Sequence, residues 1–137
     1  MPNDIAARLR AAVARRAGHR CEYCLIHEED AGFRHKIDHI LSRKHGDSSG
    51  IQNLAYACVL CNRHKGSDVA SVNPKTGKAV RLFHPRSDQW TEHFYVDADY
   101  IEHLTEVGAA TVRVLRLNDA DRVLERRILG SRSYPAR

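Results

Sequence analysis

Nowhere do the 137 residues contain an apolar run approaching the roughly 18–20 residues that a membrane span requires. The opening stretch MPNDIAARLRAAVARRAG carries arginines throughout and has no apolar block, which argues against a signal peptide or an anchor. No basic arm, internal repeat, low-complexity segment or linker breaks the chain, so one domain over residues 1–137 is expected. No cysteine is left over either: all four fall into two CxxC pairs, Cys21–Cys24 and Cys58–Cys61. A reducing, cytoplasmic setting is expected from these absences, and it suits metal-bound rather than oxidised thiols.

Apolar residues make up 42% of the chain and charged residues 28%, the balance of a globular protein rather than a disordered one. A domain of this size has a real core yet still gains from a metal staple. Net charge is +5, and it is spread along the chain: residues 1–68 carry 11 Lys/Arg against 8 Asp/Glu, and residues 69–137 carry 11 against 9. Such a distributed excess suits contact between a folded face and a polyanion, and it equally suits ordinary surface charge.

Local patterns indicate an α+β chain. Asp4 precedes an Ile5, Leu9, Val13 stripe closed by Gly18, which predicts an amphipathic helix with Arg8, Arg15 and Arg16 on its other face. Phe33–Ile40 and Asn53–Ala57 have strand composition, separated by a Gly/Ser/Asp-rich loop over residues 42–50. A short helix is expected to open at Cys61 or Asn62 and run to about Ser67. Beyond the turn at Asn73–Gly77, strands are expected over Val80–Phe83 and Thr91–Val96. Thr105 is placed to cap one helix, and Asn118 and Asp121 to begin another with Val123, Leu124 and Ile128 inward.

The two CxxC pairs are read as knuckles that supply four thiolates to one structural zinc ion; two disulfides or four buried thiols are the alternatives. Thirty-three residues (25–57) separate Cys24 from Cys58, whereas a minimal zinc ribbon needs about 15–20. The insertion reads His35-Lys36-Ile37-Asp38-His39-Ile40, then His45-Gly46, then Asn53-Leu54, and Asn62-Arg63-His64-Lys65 follows Cys61.

The run DHI, a loop with HG, NL and CxxCNxxK, over roughly residues 19–68, resembles the HNH endonucleases of the ββα-metal superfamily that carry four-cysteine knuckles. The later segment RLFHPRSDQWTEHF resembles an accompaniment of such domains. The resemblance implies a ββα-metal core with a structural four-cysteine zinc site, flanked by an N-terminal helix and by C-terminal strands and helices over residues 69–137. It implies phosphodiester hydrolysis that leaves a 5′ phosphate and a 3′ hydroxyl. His39 matches the general base, and imidazoles titrate close enough to neutrality for that task. Asp38 and Asn62 match the ligands of a catalytic Mg²⁺ or Mn²⁺, the hard oxygen donors such ions take. The family's final histidine is Asn62 here, an asparagine variant, and Ser42 stands where the pattern often has proline. Asn53 matches the middle asparagine, with the implied role of fixing the loop that carries His39.

His45, Arg63, His64 and Lys65 are candidate phosphate contacts, each with a solvated-surface alternative. In a regular strand Asp38 and His39 point to opposite faces, so a shared site requires the strand to end or bulge there. The leading expectation is a metal-dependent endonuclease acting on DNA, most simply double-stranded. A non-catalytic zinc-stabilised nucleic-acid-binding module is the alternative, and a zinc protein that binds protein partners is the third.

Overall fold

A computed structural model describes the backbone of residues 2–41 and 50–133, and the side chains of 6–41 and 50–130. It is a mixed helix and strand fold. Helix α1 (Pro2–Arg16) ends where Gly18 takes a positive φ of 62°, the left-handed turn anticipated from the sequence. Its Leu9, Val13 and Ala14, with Ala17 just past its end, pack on Ile37, Leu54 and Tyr56. Arg16, on the expected polar face, is tied to the carbonyls of Ile51 and Leu54 and so holds α1 to the strand below it.

Strand β1 (Lys36–His39) is shorter than the Phe33–Ile40 expectation and pairs antiparallel with β2 (Leu54–Ala57), in an unbroken register from Lys36 opposite Ala57 to His39 opposite Leu54. Phe33 stands exposed ahead of it. Helix α2 (Val59–Lys65) packs against both strands. It begins two residues before the expected start because the Cys58 sulfur accepts the Cys61 N–H, making a cysteine the helix cap. Gly66, with φ 52°, ends it.

Residues 70–133 build a second tier. Strands β3 (Ala70–Val72) and β4 (Ala79–Arg81) form one hairpin, and β5 (Phe94–Asp97) and β6 (Tyr100–His103) form another. The second turns through Ala98 and Asp99, both at positive φ, the twist that a two-residue hairpin turn requires. Strands β3 and β6 lack a period-2 apolar pattern long enough to mark them in the sequence. The Thr91–Val96 expectation is corrected in half: Trp90–His93 is a helical turn, α3, and the strand starts at Phe94. Likewise only Val80 and Arg81 of the Val80–Phe83 expectation are strand; Leu82 and Phe83 leave the sheet to enter the core.

Helix α4 (Glu106–Val114) is capped as expected, with the Thr105 hydroxyl accepting the Gly108 N–H at 3.0 Å. Helix α5 (Ala120–Ser133) breaks at Gly130 and departs from expectation in orientation. Val123 is buried, but Leu124 and Ile128 are 51% and 75% exposed. Arg122 and Arg126 turn inward instead, each only 4% exposed. The surface that α5 meets explains this: it presents the carbonyls of Leu115, Leu117 and Asp99, acceptors that aliphatic side chains would leave unpaired. Among the described residues no helix is long and apolar enough to cross a membrane.

Core and knuckles are continuous. Cys21, Tyr23, Cys24, Cys58 and Cys61 share one apolar cluster with Phe83, Phe94, Ile101, Leu115 and Leu117. Gly108 is where α4 comes closest to the rest, since a Cβ there would lie 2.2 Å from the His93 carbonyl oxygen. Gly108→Ala is therefore expected to lower stability by about 1–3 kcal/mol through forced separation of α4 from α3. Urea unfolding checks this, and an unchanged midpoint would show the contact to be looser than described.

Candidate functional site

The four cysteines come from two differently built turns. Between Cys21 and Cys24 the chain doubles back, with the Cys21 N–H on the Ile26 carbonyl and the Leu25 N–H on the Cys21 carbonyl. Leu25 takes a φ of 72° to close the turn. The other pair sits at the start of α2. Amide N–H groups point at sulfur in both: Cys24 to Cys21 and Cys61 to Cys58, each at 3.4 Å.

All four Sγ atoms are buried and lie within 4.8 Å of one another, with Cys24 and Cys58 sulfurs 3.7 Å apart. Sulfurs about 2.3 Å from one tetrahedral ion are about 3.8 Å apart, so the cluster fits a zinc ion with no ligand position left open. The donor set fits as well, being all soft thiolates. Burial pushes the Cys21 and Cys61 thiols up, while neighbouring sulfurs hold Cys24 down.

The second cluster lies one strand away, on the α2 side of β1. Asp38 is 2% exposed, and both carboxylate oxygens are engaged. The Tyr23 hydroxyl donates to Oδ2 at 2.7 Å, and the Lys65 ammonium lies 3.3 Å from Oδ1 and 3.2 Å from Oδ2. Asn62 Nδ2 reaches Oδ1 at 3.4 Å. Burial is the largest influence on the Asp38 carboxyl and raises its pKa, against the opposing pull of Lys65, Tyr23 and His39. Tyr23, inside the first knuckle, thus runs from the sulfur cluster to the carboxylate; its position between two cysteines was its only signal in the sequence.

His39 is the last residue of β1, and no bulge precedes it. Strand alternation places its half-buried side chain on the face of Ile37, opposite Asp38. Of the two ways in which both could serve one site, the strand end is the one present. Asn53 grips the chain just beyond: its Oδ1 accepts the Leu41 N–H and its Nδ2 donates to the Leu41 carbonyl, both at 2.9 Å. This two-point amide clamp, with Ile40 N–H on the Asn53 carbonyl, determines where the chain leaves β1.

The candidate phosphate contacts separate. Arg63 is exposed and His64 half-buried, with the His64 pKa lowered by burial and by the cations of Arg116 and Arg122. Lys65 departs from expectation: it is 2% exposed and spans Asp38 and the carbonyls of His39 and Ile40 at 3.1 and 3.2 Å. With its donors turned inward, it is a structural cation rather than a reaching surface lysine. His45 lies outside the described residues.

Residues 21–68 match the HNH endonuclease family model. The HNH segment spans all four cysteines, both strands and α2, about a third of the chain, and it points to a nuclease or nucleic-acid-binding role. No curated protein and no solved structure matches the chain significantly.

Lys65 and Asp38 form a buried pair whose halves depend on each other. Lys65→Met should cost about 3–5 kcal/mol, because it strands a buried carboxylate. Adding Asp38→Asn should recover part of that loss. A double-mutant cycle by chemical denaturation measures the coupling, and additive losses would mean that the pair does not interact.

Proposed function

We propose that this chain is a metal-dependent HNH endonuclease that hydrolyses DNA phosphodiester bonds, by nicking or cleavage. The observation that carries the reading is the HNH match over a segment in which Asp38 and Asn62 meet, 3.4 Å apart, beside the strand end that bears His39. In this reading β1, β2 and α2 are the ββα-metal core, in the asparagine variant, and the four-cysteine zinc is structural.

Each residue has a physical task. Asp38 and Asn62 would hold the Mg²⁺ or Mn²⁺; the assignment of the Asn62 amide is interchangeable by rotation, so its oxygen can face the same point as Asp38 Oδ1. The ion would supply Lewis-acid stabilisation at the phosphate and the leaving 3′ oxygen. His39 accepts the proton of the attacking water. Asn53, through its clamp on Leu41, positions the chain that carries His39. Arg63 and His64, at the end of α2, are available to DNA phosphates. Lys65 favours the ionised form of Asp38 against the effect of burial and holds it in place, and any ion at Asp38 would share the carboxylate with it.

One observation favours the alternative, a non-catalytic zinc-stabilised nucleic-acid-binding module: the Asp38 oxygens are already satisfied by Tyr23 and Lys65. Such a module would bind DNA with an affinity that falls as salt rises, and would cut nothing.

The two readings part in a plasmid assay. Wild type with Mg²⁺ or Mn²⁺ should convert supercoiled to open-circular DNA, and EDTA should stop it. His39→Ala, with zinc content and thermal midpoint like wild type, should be slower by about 100-fold or more. Equal nicking by folded His39→Ala would remove His39 as the base. Salt-sensitive binding without cutting by either protein would favour the module.

A further inference from the structure

Arg122 enters the sulfur cluster from α5, far from the HNH segment in sequence. Its Nη2 lies 3.0 Å from Cys61 Sγ and 3.7 Å from Cys58 Sγ. Its Nη1 donates to the carbonyls of Leu115 at 2.8 Å and Arg116 at 3.3 Å. The side chain is 4% exposed, and among the described residues no carboxylate forms an ion pair with it. A buried guanidinium with only neutral carbonyls for company would be costly. Something nearby must carry negative charge: Glu125 lies close enough to feel the guanidinium, but the sulfurs are the groups it touches.

The zinc reading of the cysteines, on which this inference rests, supplies that charge. Thiols that bind a divalent ion are deprotonated, and four thiolates around Zn²⁺ leave a net charge of −2. Sealed in an apolar cluster, that charge also needs a partner. The amide hydrogen bonds from Cys24 and Cys61 spread it over neutral dipoles, whereas Arg122 brings a full opposite charge. A cavity of about 290 Å³ adjoins Cys24, Cys58 and Arg122, so the guanidinium also flanks an opening next to the sulfurs.

We propose that Arg122 is the positioning residue of the zinc centre: it balances the thiolate charge through Cys61 and Cys58, and so makes metal retention and the docking of α5 a single event. The HNH segment would then hold its zinc securely only when residues beyond it have folded. Arg122 acts through the ligands rather than on the ion, as hydrogen-bond partners of metal ligands do elsewhere.

Zinc-loaded full-length wild type, Arg122→Met, Arg122→Lys and Arg126→Met would be compared. Arg126 is an equally buried arginine of the same helix, bonded to the oxygens of Asp99, Leu117 and Asn118, and it reports simple loosening of α5. Zinc transfer to a chelating dye should be about 10–100-fold faster for Arg122→Met. Arg122→Lys, which keeps the charge but not the fork, should fall between it and wild type, and it keeps the test open if the methionine variant does not fold. With Co²⁺ in place of zinc, loss of the cation should move the thiolate-to-metal charge-transfer band to longer wavelength in Arg122→Met and not in Arg126→Met. An unmoved band, with release no faster than in Arg126→Met, would overturn the role of Arg122 while leaving the zinc reading intact. A wild type that takes up neither metal would overturn both.

Discussion

The convergence of four sulfurs at one buried point is the constraint on which the other features depend. One turn and one helix start, 33 residues (25–57) apart in sequence, are brought within 4.8 Å there. Tyr23 is aimed by the first turn and carries its hydroxyl to Asp38. The start of α2 is set by the second, and with it the direction in which Asn62 and Lys65 project. The carboxylate cluster therefore has little freedom of its own: three of its four members hang from the knuckles, and only Asp38 comes from a strand.

Each cluster sets a cation inside a low-dielectric interior. Lys65 answers Asp38 at one, and Arg122 stands against the sulfurs at the other. In each case the cation comes from a helix whose sequence reads as a solvated surface, and in each case neighbouring carbonyls complete its donors. Residues 81–94 brace the same region by packing. The Trp90 indole N–H donates to the Tyr23 carbonyl, Arg86 pairs with Glu22, and Phe83 meets the Tyr23 ring edge-on. Tyr23 is thus held from both ends, by Trp90 through its main chain and by Asp38 through its hydroxyl.

What the sequence revealed and what it hid divide along the range of the interactions. The CxxC spacing, the Gly18 terminus and the Thr105 cap rest on contacts within a few residues, and all are legible from local chemistry. So was the problem of Asp38 and His39 facing opposite ways, with the strand end as one of two answers. Hidden were the inward turn of Lys65 and the reversal of α5. An amphipathic pattern is read on the premise that apolar side chains face the core, and at α5 the core offers acceptors instead. Leu124 and Ile128 were misplaced for that reason, and Arg122 was passed over. The resemblance gave Asn53 a role near His39 but no partner; its amide pairs with both main-chain groups of Leu41, twelve residues back, a contact that no local pattern announces.

The contact between Arg122 and Cys61 spans 61 positions, and that separation has a temporal side. At a synthesis rate of about 5–20 residues per second, the helix that brings the guanidinium is made about 3–12 s after the last cysteine. For that interval the nascent chain holds a complete set of sulfurs without the cation that later faces them. On the role proposed for Arg122, secure retention of metal waits for the helix that carries it, so the position of one arginine along the chain sets the order.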